Sequence, residues 1–126
     1  MNARFAPRLL ALIGLFALAA SAAAPNFVGT WIGKTEVPDQ GTDELTLVVV
    51  KTATGFEGTF KDAMGIISPE TKITNVKVDD ATLIFNFAIT DGTVLTGLIK
   101  VDGDKMTGQW EQPEGSGAPW TFERKK

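Results

Sequence analysis

Apolar and polar side chains alternate with a period of two residues through nearly all of the chain after residue 27, and this pattern most restricts the fold. Successive residues of a strand point to opposite faces, so the alternation predicts strands with one buried and one solvated face. No segment of this region spaces its apolar residues as an amphipathic helix does. We therefore predict an all-β domain with strands over 27–37, 44–53, 56–61, 72–78, 82–90, 93–101, 105–112 and 119–125.

Short turn-forming sequences connect most of these strands. Asp91-Gly92 between two alternating runs is a strong signal for a tight hairpin, and Asp102-Gly103 is a further turn. About eight strands joined by short links favour a small up-and-down antiparallel β-barrel, because closure removes the two exposed edges of a sheet. A two-sheet sandwich stays open as the alternative, since alternation fixes the faces of strands and not their closure.

The same alternation assigns the side chains that face the interior. The predicted inward-facing aromatic residues are Phe27, Trp31, Phe56, Phe60, Phe85, Phe87, Trp110, Trp120 and Phe122. An eight-stranded barrel either fills its interior with side chains or holds one small molecule, and so many rings favour filling. Alternation places no Asp or Glu in mid-strand on this face, and Asp62 at a strand end is the nearest carboxylate.

Glycine precedes an aromatic residue by two positions at three places: Gly29-Thr30-Trp31, Gly58-Thr59-Phe60 and Gly108-Gln109-Trp110. Both residues of each pair then lie on the inward face. A missing Cβ lets the strand bend sharply and lets the ring lie over bare backbone, which suits a small, strongly coiled barrel. We therefore interpret this short repeat as folding geometry and not as a ligand-stacking site.

The beginning of the chain has the layout of a secretory signal peptide. Arg4 and Arg8 precede an unbroken apolar run over 9–20, and small residues follow it. The run is shorter than the roughly 20 residues that a membrane-spanning helix needs. We expect cleavage after Ala22 or Ala23, which gives a signal peptide over 1–23 and a barrel domain over 24–126. The domain is then periplasmic or extracellular, without membrane insertion.

Composition argues against several classes of function. The chain has no histidine and no cysteine, so a serine or cysteine nucleophile lacks its usual base and soft metals lack their commonest ligands. Removal of the leader leaves ten basic against fifteen acidic residues, and the lysines are scattered, which argues against nucleic acid as a partner. Asp102-Gly103-Asp104 lacks the spacing of a calcium loop. We expect no catalysis, no cofactor and no metal site.

The start of the first strand resembles that of the lipocalin-like, or calycin-like, barrels. In that superfamily Gly-x-Trp opens the strand and its indole packs against a basic side chain near the end of the last strand. The resemblance implies such a closing contact between Trp31 and Arg124. A closer likeness, carried by 29–33, 57–59, 101–108 and 122–125, is to small secreted bacterial domains of generally unassigned function. It implies the barrel and brings no functional residues with it.

Two functions stay open on the sequence alone. The first is binding of a small apolar ligand, for which the candidate residues are Trp31, Phe56, Met64, Ile66, Phe85, Trp110 and Trp120. The apolar loop 63–69 is then either a lid over one mouth or a plug that belongs to the core, and we favour the plug. The second is a module with a fully packed core that contacts an envelope protein through its outer surface.

Overall fold

The computed structural model describes residues 26–67 and 70–126, so the expected signal peptide lies outside the described part. The described residues form strands and turns, and they contain no helix long and apolar enough to cross a membrane. The strands are β1 Gly29–Val37, β2 Gly41–Thr52, β3 Gly55–Asp62, β4 Thr71–Lys72, β5 Thr74–Asp79, β6 Thr82–Ala88, β7 Val94–Asp102, β8 Lys105–Glu111 and β9 Gly117–Arg124. The all-β prediction is confirmed.

The strands form one antiparallel sheet that nearly closes on itself. Its order is β4-β3-β2-β1-β9-β8-β7-β6-β5, so the first and last long strands pair with each other, from Trp31 opposite Arg124 to Thr35 opposite Trp120. The two ends of the sheet, β4 and β5, are consecutive in the chain and meet at Ile73, whose N–H donates to the carbonyl of Gly58 at 3.0 Å. This arrangement is an up-and-down barrel, and the sandwich alternative is wrong.

The structure divides the predicted fourth strand into β4 and β5 at Ile73, and β5 itself contains an irregularity. Pairing with β6 shifts register between Thr74 and Lys77, and Asn75 has a positive φ of 49°. One extra residue in the strand changes which parity faces the interior. Ile73 is therefore buried ahead of the bulge, while Val78 pairs with the buried Leu83 behind it. The alternation over 72–78 also predicts Val78 on the inward face, but Val78 is 45% exposed because β5 is an edge of the sheet.

Aromatic rings fill the middle of the barrel. The ring centroid of Phe60 lies 5.0 Å from that of Phe87, 5.6 Å from that of Trp120 and 6.1 Å from that of Phe85, each pair in edge-to-face geometry. This geometry places positive ring edges against negative ring faces and adds to the gain from burying the rings. The prediction of a ring-filled interior holds for the middle of the barrel, and the free space lies towards one end.

Candidate ligand-binding site

A cavity of about 320 Å³ opens at the end of the barrel where the turn between β1 and β2 lies. Its apolar wall consists of Val37, Pro38, Leu45, Ile66, Ile67, Phe87, Ile89, Leu95, Trp110 and Trp120. The residues of this wall that belong to strands point inward because of the period-two alternation. The loop 63–67, which follows β3, contributes Ile66 and Ile67. Small-molecule sites range over roughly 300–1,000 Å³. The cavity is therefore large enough for one small molecule.

Hydrogen bonds fix the two indole rings of the wall. Trp110 Nε1 donates to Thr35 Oγ1 at 2.9 Å, and that hydroxyl donates in turn to the carbonyl of Pro119 at 2.8 Å. Trp120 Nε1 donates to the carbonyl of Leu98 at 3.1 Å. Buried indole N–H groups need such partners, and each bond also sets the orientation of its ring. Both aromatic faces are thus held in place before any ligand arrives.

Four polar residues complete the wall: Thr35, Gln40, Asp43 and Gln112. Asp43 is the one ionisable residue among them, and the residue is only 2% exposed. Its Oδ1 accepts a hydrogen bond from the N–H of Met64 at 2.9 Å. Burial, and then the neighbouring carboxylate of Asp62, raise the pKa of Asp43 to about 6. The cavity therefore contains an acidic group that changes charge near neutral pH.

The loop 63–67 is tied to the barrel by several hydrogen bonds. Asp62 accepts from the N–H groups of Ile66 at 2.9 Å and Ile67 at 2.8 Å, one on each carboxylate oxygen. The N–H of Thr90 donates to the carbonyl of Ile66 at 2.8 Å. Both isoleucines line the cavity, and Ile67, which is 6% exposed, also belongs to the core. The loop is thus a plug through Ile67 and a cover of the mouth through Ile66.

The prediction that carboxylates stay off the inward face is wrong for Asp43. The sequence prediction begins this strand at residue 44, whereas β2 begins at Gly41 and carries Asp43 on its buried face. Extension of the alternation of Leu45 and Leu47 by one step towards the amino terminus places Asp43 inside. That extension is the signal in the sequence that finds this residue.

The structure distributes the predicted ligand-binding residues over four locations. Ile66, Trp110 and Trp120 line the cavity. Phe85 is fully buried beneath it, with its ring stacked on that of Trp120 at 6.1 Å. Met64 is 39% exposed, and its main-chain N–H takes part in the site through Asp43. The prediction from sequence misses the cavity residues Val37, Phe87, Ile89 and Leu95, although the alternation over 82–90 and 93–101 turns the last three inward.

The remaining candidates, Trp31 and Phe56, lie at the opposite end of the barrel. Trp31 is fully buried, and its Nε1 donates to the carbonyl of Phe27 at 2.9 Å. The guanidinium carbon of Arg124 lies 4.2 Å from the centroid of the Trp31 ring, and its Nε donates to Asp104 at 2.8 Å. The Phe56 ring packs edge-on against Phe27 at 5.7 Å. These residues close their end of the barrel and do not line the cavity.

Acidic residues are not grouped for a metal ion in the described ranges. Within 26–67 and 70–126, no three residues among His, Cys, Asp and Glu come together. Asp104, in the turn that follows β7, accepts hydrogen bonds from Arg124 and from Lys126 Nζ at 2.7 Å. These bonds lower the pKa of Asp104, the contribution of Lys126 being larger. The Asp102-Gly103-Asp104 turn thus directs a carboxylate to structural ion pairs.

Comparison with known proteins supports the fold alone. No protein-family model matches the chain, and no curated protein matches it. Among solved structures, a de novo designed fluorescence-activating β-barrel aligns with a TM-score of 0.56 and 19% sequence identity. The alignment covers 79% of this chain and 94% of the designed one. The barrel architecture is thus shown, and the finer lipocalin-like resemblance stays a prediction.

Proposed function

We propose that the chain is an exported, non-catalytic β-barrel that binds one small, mostly apolar ligand in the cavity beside the turn between β1 and β2. The observation that carries this proposal is the cavity itself, about 320 Å³ in volume and walled by apolar and aromatic side chains with a few polar groups. Concave, largely apolar sites with few convergent polar groups are the usual form of small-molecule sites. Such a ligand is stabilised by the apolar surface that it removes from water.

The rigidity of the wall also supports binding. The indoles of Trp110 and Trp120 are already oriented by hydrogen bonds, and the loop 63–67 is already tied down by Asp43 and Asp62. A preformed site loses little conformational entropy when the ligand enters, so more of the contact energy remains as affinity. The bond between Thr35 and Trp110 contributes to this by linking β1 to β8 over the intervening strand β9.

Fluorescence titration with a cavity-filling variant tests the proposal. The designed barrel is described as fluorescence-activating, which makes environment-sensitive dyes suitable first probes. We expect saturable binding of at least one small apolar dye. Ile89→Phe, which enlarges a side chain of the cavity wall, weakens binding at least about tenfold, a loss of about 1.4 kcal/mol. Val94→Phe is the matched control because Val94 is 50% exposed outside the cavity.

Two outcomes of the titration separate the alternatives. Equal dye affinity in the protein, Ile89→Phe and Val94→Phe means that dyes bind elsewhere, and it overturns the assignment of the site. A flat response across a panel of dyes with different shapes overturns ligand binding altogether. The second result favours the other function that the sequence leaves open, a module that contacts an envelope protein through its outer surface.

Export is supported by the arrangement of Arg4, Arg8 and the apolar run 9–20. Expression of the full chain in a bacterium, followed by mass spectrometry of the periplasmic fraction, tests it. We expect a product that begins at Ala23 or Ala24, since cleavage is expected after Ala22 or Ala23. Recovery of the uncleaved chain from the cytoplasm contradicts the proposal.

A further inference from the structure

We propose that the cavity selects ligands with a hydrogen-bond-donating cationic group, such as a primary ammonium, on a small apolar body, and that Asp43 receives this group. The inference rests on the proposed function, because it names the ligand class of the same cavity. It adds a charge preference to a site that the sequence predicts as merely apolar. Three observations carry it: the charge of the wall, the bonding of Asp43 and the surrounding rings.

The wall of the cavity carries one sign of charge. Asp43 is its single ionisable residue in the described chain, and neither lysine nor arginine lines it. Asp62 in β3 adds a second carboxylate next to Asp43. An anionic ligand such as a fatty acid finds no cationic partner here, and its head group is repelled at short range in a site of low dielectric constant. The cavity therefore disfavours carboxylate ligands and favours cationic ones.

The carboxylate of Asp43 has few donors for a buried charge. Its Oδ1 accepts from the N–H of Met64, and the N–H of Ala63 makes a smaller contribution, whereas an ionised carboxylate offers about four lone-pair sites. The residue opposite it on β1 is the uncharged Thr35, whose hydroxyl already binds Trp110 and Pro119. The titratable group that faces Asp43 from a neighbouring element is Asp62, also an acid. An ammonium group in the cavity supplies the missing donors and the missing positive charge.

Aromatic rings surround the space that such a ligand enters. Phe87, Trp110 and Trp120 all line the cavity. Ring faces attract cations as well as apolar groups, with tryptophan the strongest, so these walls suit both parts of a hydrophobic amine. The cavity volume lies near the lower limit for small-molecule sites, which favours a ligand with one ring and a short linker over a long alkyl chain.

A series of ligands that differ only in head group tests the inference. The series is 3-phenylpropylamine, 3-phenylpropan-1-ol and 3-phenylpropanoic acid, titrated calorimetrically at pH 7.5. We expect the amine to bind at least about tenfold more tightly than the alcohol, in line with a hydrogen bond to a charged group, and the acid to bind most weakly. In Asp43→Asn the advantage of the amine over the alcohol disappears, while the alcohol still binds. Asp79→Asn, an exposed charge-matched control, keeps the advantage.

Each outcome of the series has a distinct meaning. Equal affinities for the three compounds, or tightest binding of the acid, overturn the charge preference and leave the proposed function standing. Failure of all three compounds to bind, together with failure of the dye panel, overturns the proposed function and the inference with it. The order of affinities in the unaltered protein decides the charge preference even where Asp43→Asn does not fold. A preference for the amine that survives in a folded Asp43→Asn assigns the selectivity to another group and contradicts the role of Asp43.

Discussion

Asp43 links the cavity to the loop that covers it, because its carboxylate lines the cavity and accepts the N–H of Met64. Its raised pKa of about 6 means that the folded protein holds a proton more tightly than the unfolded chain, whose aspartates titrate near 3.8. The stabilising effect of protonated Asp43 is therefore fully present below about pH 4 and is lost as the pH rises through about 6. The ionised carboxylate of Asp43 therefore lowers the free energy of unfolding at neutral pH.

Asp43→Asn tests this pH dependence. The amide imitates the protonated carboxyl, since its oxygen can accept from Met64 and its NH₂ can donate to Asp62. We expect the variant to exceed the unaltered protein in free energy of unfolding by roughly 1–3 kcal/mol at pH 7.5, and the difference to vanish near pH 4. Urea denaturation at the two pH values measures it. A variant that is less stable at pH 7.5, with Asp79→Asn unchanged, contradicts the account.

Arg124 has the corresponding role at the opposite end. Its guanidinium lies over Trp31, donates to Asp104 and donates to the main-chain carbonyls of Asn26 and Val28. Removal of this group leaves several acceptors without donors as well as an uncovered indole face. The guanidinium thus holds the residues that precede β1 against the end of β9.

Arg124→Met keeps most of the aliphatic stem and tests the charged head. We expect a loss of about 1–3 kcal/mol in the free energy of unfolding, read from urea denaturation. The exposed substitution Lys125→Met serves as the control and is expected to stay within about 0.5 kcal/mol. Ligand affinity stays unchanged in Arg124→Met because the cavity lies at the other end. No loss of stability, or a loss equal to that of Lys125→Met, contradicts the closing role.

Strands and their faces are largely predictable because alternation is a local property of the sequence. The irregularity between Thr74 and Lys77 cannot be predicted from local sequence. It is set by the pairing of β4 with β3 and of β5 with β6 as the barrel closes. The start of β2 at Gly41 is missed for a similar reason. Residues 41–43 have the composition of a polar turn, yet they pair in order with Val37, Glu36 and Thr35 of β1.

At the glycine repeat, the contacts predicted from the local sequence differ from those that tertiary packing forms. The sequence predicts that rings lie over the bare backbone of Gly29, Gly58 and Gly108. A Cβ at Gly108 instead overlaps the carbonyl of Leu98 on β7, and one at Gly58 overlaps the carbonyl of Val48 on β2. Rings cover other glycines, and a Cβ at Gly97 would lie 2.7 Å from the ring of Phe85 and 2.9 Å from that of Trp120.

Gly108→Ala tests this close approach of two strands. The added methyl group cannot be accommodated by a side-chain movement, because the atom that it meets belongs to the main chain of β7. We expect a loss of about 2 kcal/mol or more in the free energy of unfolding, as in other overpacked sites. The neighbouring exposed substitution Gln109→Ala is the control. Equal unfolding midpoints for the two variants contradict the requirement for glycine at this position.

The whole barrel consists of a ring-filled middle, one end closed by Trp31 and Arg124, and one end that contains the cavity. Composition and alternation predict the filled middle, since they supply more than enough inward rings. They do not predict the cavity, because its existence depends on where neighbouring strands end and on how the loop 63–67 folds back through Asp62. The candidate site is therefore only partly readable from the sequence.

The central claim is that a ligand enters at one end of this barrel, and the indole N–H signals of the ¹⁵N-labelled protein test it most directly. The chain has three tryptophans; Trp110 and Trp120 line the cavity, whereas Trp31 lies at the closed end. Titration with 3-phenylpropan-1-ol is expected to shift the signals of Trp110 and Trp120 saturably and to leave that of Trp31 in place. Three unmoved signals, or a shift of Trp31 alone, would contradict it.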